Sequence, residues 1–161
     1  MDRQKRLEIS YPDEYHASVL QLIEQSRRCV RIWSNNLEPS VYDKPAVQHA
    51  LSAMVRGNRN AEARLLVADA SGLVKSGHCL VALMRQLPSA IKIRECSSLP
   101  DRYRENFIVA DFSAVAAGIE SEEDKAFVNF HAAVEAKDRA RHFDYLWERG
   151  QENAELRALA L

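Results

Sequence analysis

The sequence predicts an α/β protein built on a mixed sheet, largely parallel in its first half and antiparallel in its later strands, with helices on both faces. Three alternations of a strand-like and a helix-like segment extend to residue 96. Two short apolar segments and a closing amphipathic segment come later in the chain. Strand–helix alternation requires crossover connections and therefore parallel pairing, whereas short connections favour antiparallel neighbours.

The first alternation has a clear helix start. Residues 7–10 alternate apolar and polar side chains, as in a strand, and Pro12 with two acidic residues suits the first turn of a helix. We expect this helix to run to about Arg28, because its apolar residues recur at the helical period. A second strand is expected at residues 29–33, and it ends in the polar residues 34–36.

The second and third alternations repeat this pattern. A helix is predicted over residues 45–57, beginning at a proline and ending at a glycine, and the next strand over residues 63–69. Ser71 is expected to cap a third helix, which Pro88 terminates. Residues 91–96 return to the strand pattern.

The later segments predict the antiparallel part of the sheet. Residues 104–111 begin with polar side chains and continue as an apolar run, which predicts a buried central strand. The apolar segments at 114–118 and 125–130 are too close together for crossover helices. An amphipathic helix is predicted over residues 132–149, and residues 151–161 form a C-terminal tail.

Length, charge and cysteine content narrow the range of functions. We expect a single domain over residues 1–161, with its core at about residues 7–150. The net charge of -1 gives no general attraction to nucleic acid or membranes. Three cysteines, an odd number without a C-x-x-C pair, are typical of reduced thiols. No apolar run approaches the roughly 20 residues that span a bilayer, so a cytoplasmic location is expected.

Residues 104–111 read Arg-Glu-Asn-Phe-Ile-Val-Ala-Asp and resemble the H-x-K-x-x-x-x-D motif of the phospholipase D superfamily, whose single-motif members include small bacterial nucleases. Arg104 stands where the motif has its nucleophilic His, Asn106 stands where it has Lys, and Asp111 is retained. The order of elements from about residue 13 to 150 is similar to the family's order. In the family two motifs meet across a pseudo-two-fold axis, so the resemblance implies a homodimer of this one-motif chain.

The resemblance also implies that the catalytic groups are lost. Arg104 has no lone pair for attack on phosphorus, and Asn106 lacks the charge that the Lys places on a phosphate oxygen. Ser121 stands where the family's Gly-Ser/Thr-x-Asn loop has its Asn, and residues 122–124 are acidic. We therefore expect no phosphodiesterase activity, no cofactor, and a residual polar or anion-binding cleft formed by Arg104, Asn106, Asp111 and Ser121.

Several of these residues also have ordinary structural interpretations. Arg104 is either a retained anion contact or a surface salt bridge, and we favour the salt bridge. Asp111 either orients a partner at the dimer axis or has a structural role, and we favour the structural role, in which it caps the strand end or pairs with an arginine. Asn35 and Asn36 follow a strand at the edge where α/β sheets bind ligands, but an Asx-rich turn is favoured for them.

Three functions remain open from the sequence. The first is a catalytically inactive binding or regulatory module; similar domains near N-acetyltransferases suggest such a protein as a partner. The second is a pseudo-nuclease that binds single-stranded nucleic acid, with Trp33 or Tyr103 stacking on bases. The third is an enzyme with altered chemistry at the dimer cleft, using His78 or His131. The histidines show no metal-ligand spacing. The basic groups considered for the second function are Arg27, Arg28 and Arg31; Arg56, Arg59 and Arg64; and Arg94, Arg102 and Arg104.

Overall fold

The computed structural model describes residues 6–96, 105–119 and 122–157, apart from the side chains of residues 123 and 124. The strands are β1 (Leu7–Ile9), β2 (Cys29–Ser34), β3 (Glu62–Val67), β4 (Ile91–Glu95), β5 (Glu105–Ala110), β6 (Ala114–Ile119) and β7 (Glu122–Asn129). The helices are α1 (Asp13–Gln25), α2 (Pro45–Gly57), α3 (Ser71–Lys75), α4 (Cys79–Gln86), α5 (Ala133–Arg149) and α6 (Ala154–Arg157). The predicted mixed α/β architecture is confirmed.

All seven strands belong to one sheet with the order β1-β7-β6-β5-β2-β3-β4. Strands β2, β3 and β4 are parallel, while β5, β6, β7 and β1 join by antiparallel pairs. Consequently β1, β2, β3, β4 and β6 end at the edge of the sheet where β5 and β7 begin. We call this the Asn106 edge, and the opposite one, where β5 and β7 end, the Asp111 edge.

Each face of the sheet carries its own hydrophobic core. Side chains from α1, α2, α3, α4 and α6 cover one face, and α5 covers the other. Successive residues of β5 divide between the two cores: Ile108 packs on the α1 side, whereas Phe107 and Val109 pack on the α5 side. This is the side-chain alternation of a strand buried on both faces, as predicted for the central strand.

The predicted third helix is wrong: the segment forms two helices, α3 and α4. Gly77 has a φ of +66°, a left-handed conformation that ends the first helix, and His78 then caps the second by accepting a hydrogen bond from the Leu80 N–H. Ser71 is also not the cap. Its backbone N–H instead donates to the carboxylate of Asp69, at 2.9 Å.

Two element ends also differ from the prediction. Helix α1 ends at Gln25 rather than near Arg28, and the hydroxyl of Ser26 donates to the carbonyl of Leu22 at 2.7 Å. The C-terminal tail packs on the domain, because Gln151 exchanges two backbone hydrogen bonds with Glu95 at the end of β4.

Among the helices within the described ranges, none combines the length and apolar character needed to cross a bilayer.

Candidate functional site

The Asn106 edge gathers several of the polar residues that the sequence singled out. Asn106 lies near the start of β5, opposite Gly118 of β6, and Trp33 of β2 pairs with Phe107. This register places Asn106 beside the end of β2, where Asn35 and Asn36 follow. Asp111, which the predicted cleft also included, lies at the opposite edge, because it follows the other end of the same strand. Arg104 and Ser121 lie outside the described residues.

The side chain of Tyr11 closes the Asn106 edge by packing on Gly118. A Cβ atom at position 118 would lie 2.9 Å from Cδ2 of Tyr11 and 3.0 Å from Cβ of Ala126. Such distances are shorter than van der Waals contact, so only glycine leaves room for the Tyr11 ring here. The lack of a side chain at Gly118 therefore lets the ring of Tyr11, a residue outside the motif-like octet, pack on β6.

Asn106 is buried, with 1% of its surface exposed, and its amide is already engaged. Its Nδ2 donates to the hydroxyl of Tyr11 at 3.1 Å, and that hydroxyl donates to a carboxylate oxygen of Glu38. The hydroxyl of Ser40 donates to the other Glu38 oxygen at 3.0 Å. The position of the motif's Lys thus holds a neutral amide that points into a network ending in a carboxylate.

Two further tyrosines line the protein interior beside this network. Tyr15 and Tyr42 are both fully buried, and their hydroxyls interact with each other rather than with another polar group of the described chain. The Tyr11 and Tyr15 rings lie 5.1 Å apart. Burial raises the pKa of Tyr15 well above its ordinary value, with Tyr42 adding to the effect, and burial likewise raises the pKa of Tyr42. Both phenols are neutral near physiological pH, so neither supplies a general base.

Gly118→Ala is expected to lower the free energy of unfolding by about 1–3 kcal/mol, because Tyr11 must move off β6 to admit the new methyl group. Urea unfolding followed by tryptophan fluorescence measures the change. Gly72→Ala is the matched control, since a Cβ at position 72 meets nothing within 4 Å. Equal stability of the two variants would show that the Tyr11 contact is not constrained by Gly118.

Asp111 lies at the other edge of the sheet from Asn106. Asp111 follows Asn106 by five positions along the strand, which corresponds to about 16 Å. Asp111 has a φ of +52°, and its carboxylate accepts hydrogen bonds from the backbone N–H groups of Arg27, Arg28 and Cys29 at 3.2, 2.9 and 3.0 Å. These contacts match the favoured interpretation of Asp111 as a strand-end cap, here for the chain that enters β2.

The turn after β2 is held by its own backbone. The carbonyl of Asn35 accepts hydrogen bonds from the N–H groups of Ala68 and Asp69 at 3.1 and 3.3 Å, and the Asn36 side chain is exposed. The hydroxyl of Ser34 accepts from the N–H of Leu37 at 2.9 Å. This arrangement is a structural turn that joins the ends of β2 and β3.

His78, Asp43 and Cys79 bring three potential metal-ligand atoms within 4.8 Å of one another. The Nε2 of His78 donates to the carbonyl of Leu37 at 2.9 Å, so its Nδ1 carries the lone pair, which accepts from the N–H of Leu80 at 3.1 Å. An Asp43 oxygen accepts from the N–H of Cys79 at 3.0 Å, and burial raises the pKa of the Cys79 thiol to about 12. These acceptors cap the positive end of α4, so the group does not fit a cation.

Acidification is expected to destabilise the protein through His78. Burial lowers its pKa below the ordinary value of 6.5, against the opposing effects of Leu37 and Asp43. The unfolded chain therefore binds the proton first as the pH falls. The stabilising contribution is complete above pH 6.5 and is lost as the pH falls through the lower pKa of the folded state.

Urea unfolding at about pH 7.5 and about pH 5 measures this contribution. His78→Asn is the comparison, because Asn retains a capping oxygen for the Leu80 N–H but does not titrate. The variant should lose less stability than the wild type between the two pH values. The same loss in both proteins would assign the acid sensitivity to other groups, such as Asp43.

The remaining sequence candidates do not meet at the Asn106 edge. His131 follows the end of β7 at the Asp111 edge, where the next residue, Ala132, donates to the carbonyl of Ser113. His131 therefore lies at the opposite edge of the sheet from Asn106. Trp33 is 2% exposed and belongs to the α5-side core, so its predicted stacking role is wrong. Tyr103 lies outside the described residues.

Three arginines of the predicted basic groups form internal contacts under α5. Arg31 donates to both carboxylate oxygens of Asp144, at 2.9 and 3.1 Å, and Arg64 contacts Asp144 and Glu62. Arg94 donates to the carbonyl of Trp147 at 2.9 Å. These arginines join the sheet to the last helix and do not form an open groove.

Comparison with protein families gives one match over nearly the whole chain. The family model described as a domain of unknown function (DUF7931) matches residues 11–159. The chain belongs to this family. A comparison with curated protein sequences finds no significant match.

Comparison with solved structures identifies the fold. Nuc, a phospholipase D family member from Salmonella typhimurium, matches with a TM-score of 0.66 and 19% identity over 92% of this chain and 97% of Nuc. NucT from Helicobacter pylori matches with a TM-score of 0.61 and 10% identity over 92% of this chain and 99% of NucT. At these identities the likeness concerns the fold, which is phospholipase D-like, as the motif resemblance implies.

A third neighbour shares this fold within a longer protein. TrmBL2, an archaeal chromatin protein whose structure shows a novel mode of DNA binding, matches with a TM-score of 0.66 and 7% identity. The match covers 95% of this chain, which spans about half of the TrmBL2 chain, 55%.

The sequence did not predict the Tyr11–Glu38 network at the motif position, and no local pattern near either residue indicates it.

Proposed function

We propose that this chain is a catalytically inactive phospholipase D-like domain that acts as a homodimeric binding or regulatory module. The observation that carries the proposal is the engagement of Asn106. The amide at the motif's Lys position is buried and hydrogen-bonded to Tyr11, which in turn bonds Glu38. The group that would hold a phosphate oxygen has been replaced and also closed off.

The charge at this position is unfavourable for a phosphodiester. The half-buried carboxylate of Glu38 lies two hydrogen bonds away from the Asn106 amide, which stands where the family has a cation. Two like unit charges about 4 Å apart repel by about 4 kcal/mol at an effective dielectric constant of about 20. A phosphate would therefore have to displace Tyr11 and approach Glu38 without a compensating lysine, which supports binding functions over phosphoryl transfer.

The proposal predicts that the purified protein does not hydrolyse bis(p-nitrophenyl) phosphate or a labelled single-stranded oligonucleotide above the rate in buffer. An active phospholipase D-type nuclease assayed in parallel is the positive control. Arg104→Ala distinguishes this chain's own activity from contamination. Turnover that is present in the wild type and lost in Arg104→Ala would overturn the proposal; turnover equal in both preparations would indicate a contaminant and requires repurification before the test counts.

The homodimer in the proposal comes from the single motif, since a paired site needs two copies. Light scattering after size exclusion should give twice the mass of the 161-residue chain at micromolar concentration. A monomer over the whole accessible concentration range would remove the dimer from the proposal. It would leave the proposal of catalytic inactivity intact, because that part rests on Asn106 alone. An N-acetyltransferase-type partner belongs to the same proposal and is tested by co-purification with a defined partner.

A further inference from the structure

A surface pocket of about 360 Å³ lies at the Asp111 edge, on the α5 side of the sheet. Phe112, Lys137, Arg141 and Asp144 line it. None of these residues belongs to the motif-like octet or to the network around Asn106. The volume falls within the range of small-ligand pockets, which begins at about 300 Å³.

Phe112 is an exposed aromatic side chain on a rigid turn. Its side chain is 52% exposed, although a ring of this size usually packs in the interior. The residue before it, Asp111, is fixed by its three backbone hydrogen bonds. The guanidinium of Arg31 lies 5.0 Å from the ring centroid. The ring is therefore held in place while much of its surface faces solvent, as a stacking platform requires.

Lys137 and Arg141 supply positive charge that the protein does not neutralise. They lie one helical turn apart on α5, both are exposed, and neither has an ion-pair partner in the part of the chain that the structure describes. Arg139 on the same helix differs, because it pairs with Glu105 and Glu135. The pocket thus combines an exposed ring with two free cations.

Asp144, the one acidic residue that lines the pocket, already forms ion pairs with arginines of the sheet. Asp144 pairs with Arg31 and Arg64, so its charge does not oppose an anion at Lys137 and Arg141. Arg31 is itself 8% exposed at its side chain, and its Nη1 is buried without a hydrogen-bond partner. Arg31 contacts both Phe112 and Asp144, two of the lining residues. Arg31 therefore holds two of the side chains that line the pocket in place.

The positive charge continues beyond the pocket along the same edge. Arg27 and Arg28 are exposed and bond Asp111 only through their backbone N–H groups, so their guanidinium groups carry no ion pair within the described ranges. Arg59 lines a neighbouring groove together with Arg27. An extended band of cations suits a polyanion better than a single nucleotide.

We propose that the Asp111 edge binds single-stranded nucleic acid, with a base stacked on Phe112 and the adjacent phosphates on Lys137 and Arg141. The combination of a backbone-tracking cationic surface with an aromatic platform is how such strands are held without sequence preference. This site is separate from the Asn106 edge and does not depend on whether that edge is inactive.

Fluorescence anisotropy with a labelled oligothymidine of about 20 nucleotides at low and moderate salt tests the site. Phe112→Ala should weaken binding on the order of ten-fold, from loss of stacking. The double variant Lys137→Ala, Arg141→Ala should weaken it at least as much, and should reduce the slope of log affinity against log salt by about 1.4, the value for two phosphate contacts on a single strand. Circular dichroism confirms that each variant is folded.

The double variant Lys75→Ala, Arg149→Ala is the matched control, because it removes the same net charge from exposed positions that do not line the pocket. It should retain most of the affinity. Equal losses in the two double variants, no binding by the wild type, or binding to anionic lipid vesicles in place of the oligonucleotide would each overturn the inference. A gel of the oligonucleotide after incubation reports cleavage separately, so failure of the proposed inactivity is distinguishable from failure of this site.

Discussion

Asp144→Ala is expected to lower the free energy of unfolding by about 2–4 kcal/mol, which is one of the two largest effects that the structure predicts for a single substitution. Arg31 is 8% exposed at its side chain and donates to both carboxylate oxygens of Asp144. Without Asp144 its charge remains buried with no counterion. Because Asp144 itself is 38% exposed, water can enter and limits the loss. Urea unfolding measures the change.

Two variants test the physical cause of this loss. Asp138→Ala removes an exposed carboxylate from the same helix, and should change stability by less than about 0.5 kcal/mol. Arg31→Met combined with Asp144→Leu removes both charges, and should recover much of the stability lost in Asp144→Ala, because no unpaired charge remains. Equal stability of Asp144→Ala and Asp138→Ala would contradict the assigned role of the ion pair.

The sequence was a reliable guide where nearby residues determine an element directly, as a proline or glycine does at the end of a helix. Helix α2 has the predicted bounds because Pro45 fixes the backbone of its first turn and Gly57 ends it. Strand β5 was predicted as central because its apolar run has no polar face, and it is the fourth of the seven strands. In both cases a short stretch of sequence contains the physical information that sets the structure.

The break between α3 and α4 shows where periodicity misleads. Leu73 and Leu80 are seven residues apart, so they lie on one stripe of a continuous helix, and both are buried. The chain nevertheless turns at Gly77, whose φ is positive, and His78 then caps the second helix by accepting from the N–H of Leu80. Apolar spacing cannot distinguish one helix from two that pack on the same core.

The contacts that define the candidate site join distant parts of the chain. Asn106 and Tyr11 are 95 residues apart, and Arg31 and Asp144 are 113 apart. The order of polar and then apolar residues put Asn106 near the start of the central strand, as in β5, but the predicted cleft wrongly grouped it with Asp111 at the other end of that strand. The sequence could not show that Tyr11 packs over Gly118. That position depends on β1, the outermost strand, which pairs with β7 beside β6.

Counting basic residues along the chain also overstated the exposed charge. Arg31, Arg64 and Arg94 look like a cationic series because they occupy equivalent positions on neighbouring strands. Their shared face lies under α5, where Asp144 and the end of the helix provide their partners. Among the described residues, exposed cations without an ion pair do occur at the Asp111 edge, where Arg27 and Arg28 precede β2 and Lys137 and Arg141 lie on α5.

Asp111→Ala is expected to lower the free energy of unfolding by about 2–4 kcal/mol. Three backbone N–H groups, those of Arg27, Arg28 and Cys29, lose their carboxylate acceptor, at about 0.5–1 kcal/mol each, because two of these hydrogen bonds are exposed and water replaces the acceptor. Alanine must also adopt a φ of +52°, which costs about 1 kcal/mol or more for a residue without a polar side chain. Urea unfolding measures the sum.

Two further substitutions separate these causes. Asp111→Gly removes the acceptors but tolerates the positive φ, whereas Asp111→Asn tolerates the conformation and retains one acceptor oxygen. Stability should therefore fall in the order wild type, Asn, Gly, Ala. Should all three variants remain as stable as the wild type while light scattering shows a dimer dissociating, Asp111 would be a partner contact rather than a strand-end cap. The retained residue of the motif would then serve assembly, and the strand-end contacts to β2 would be incidental.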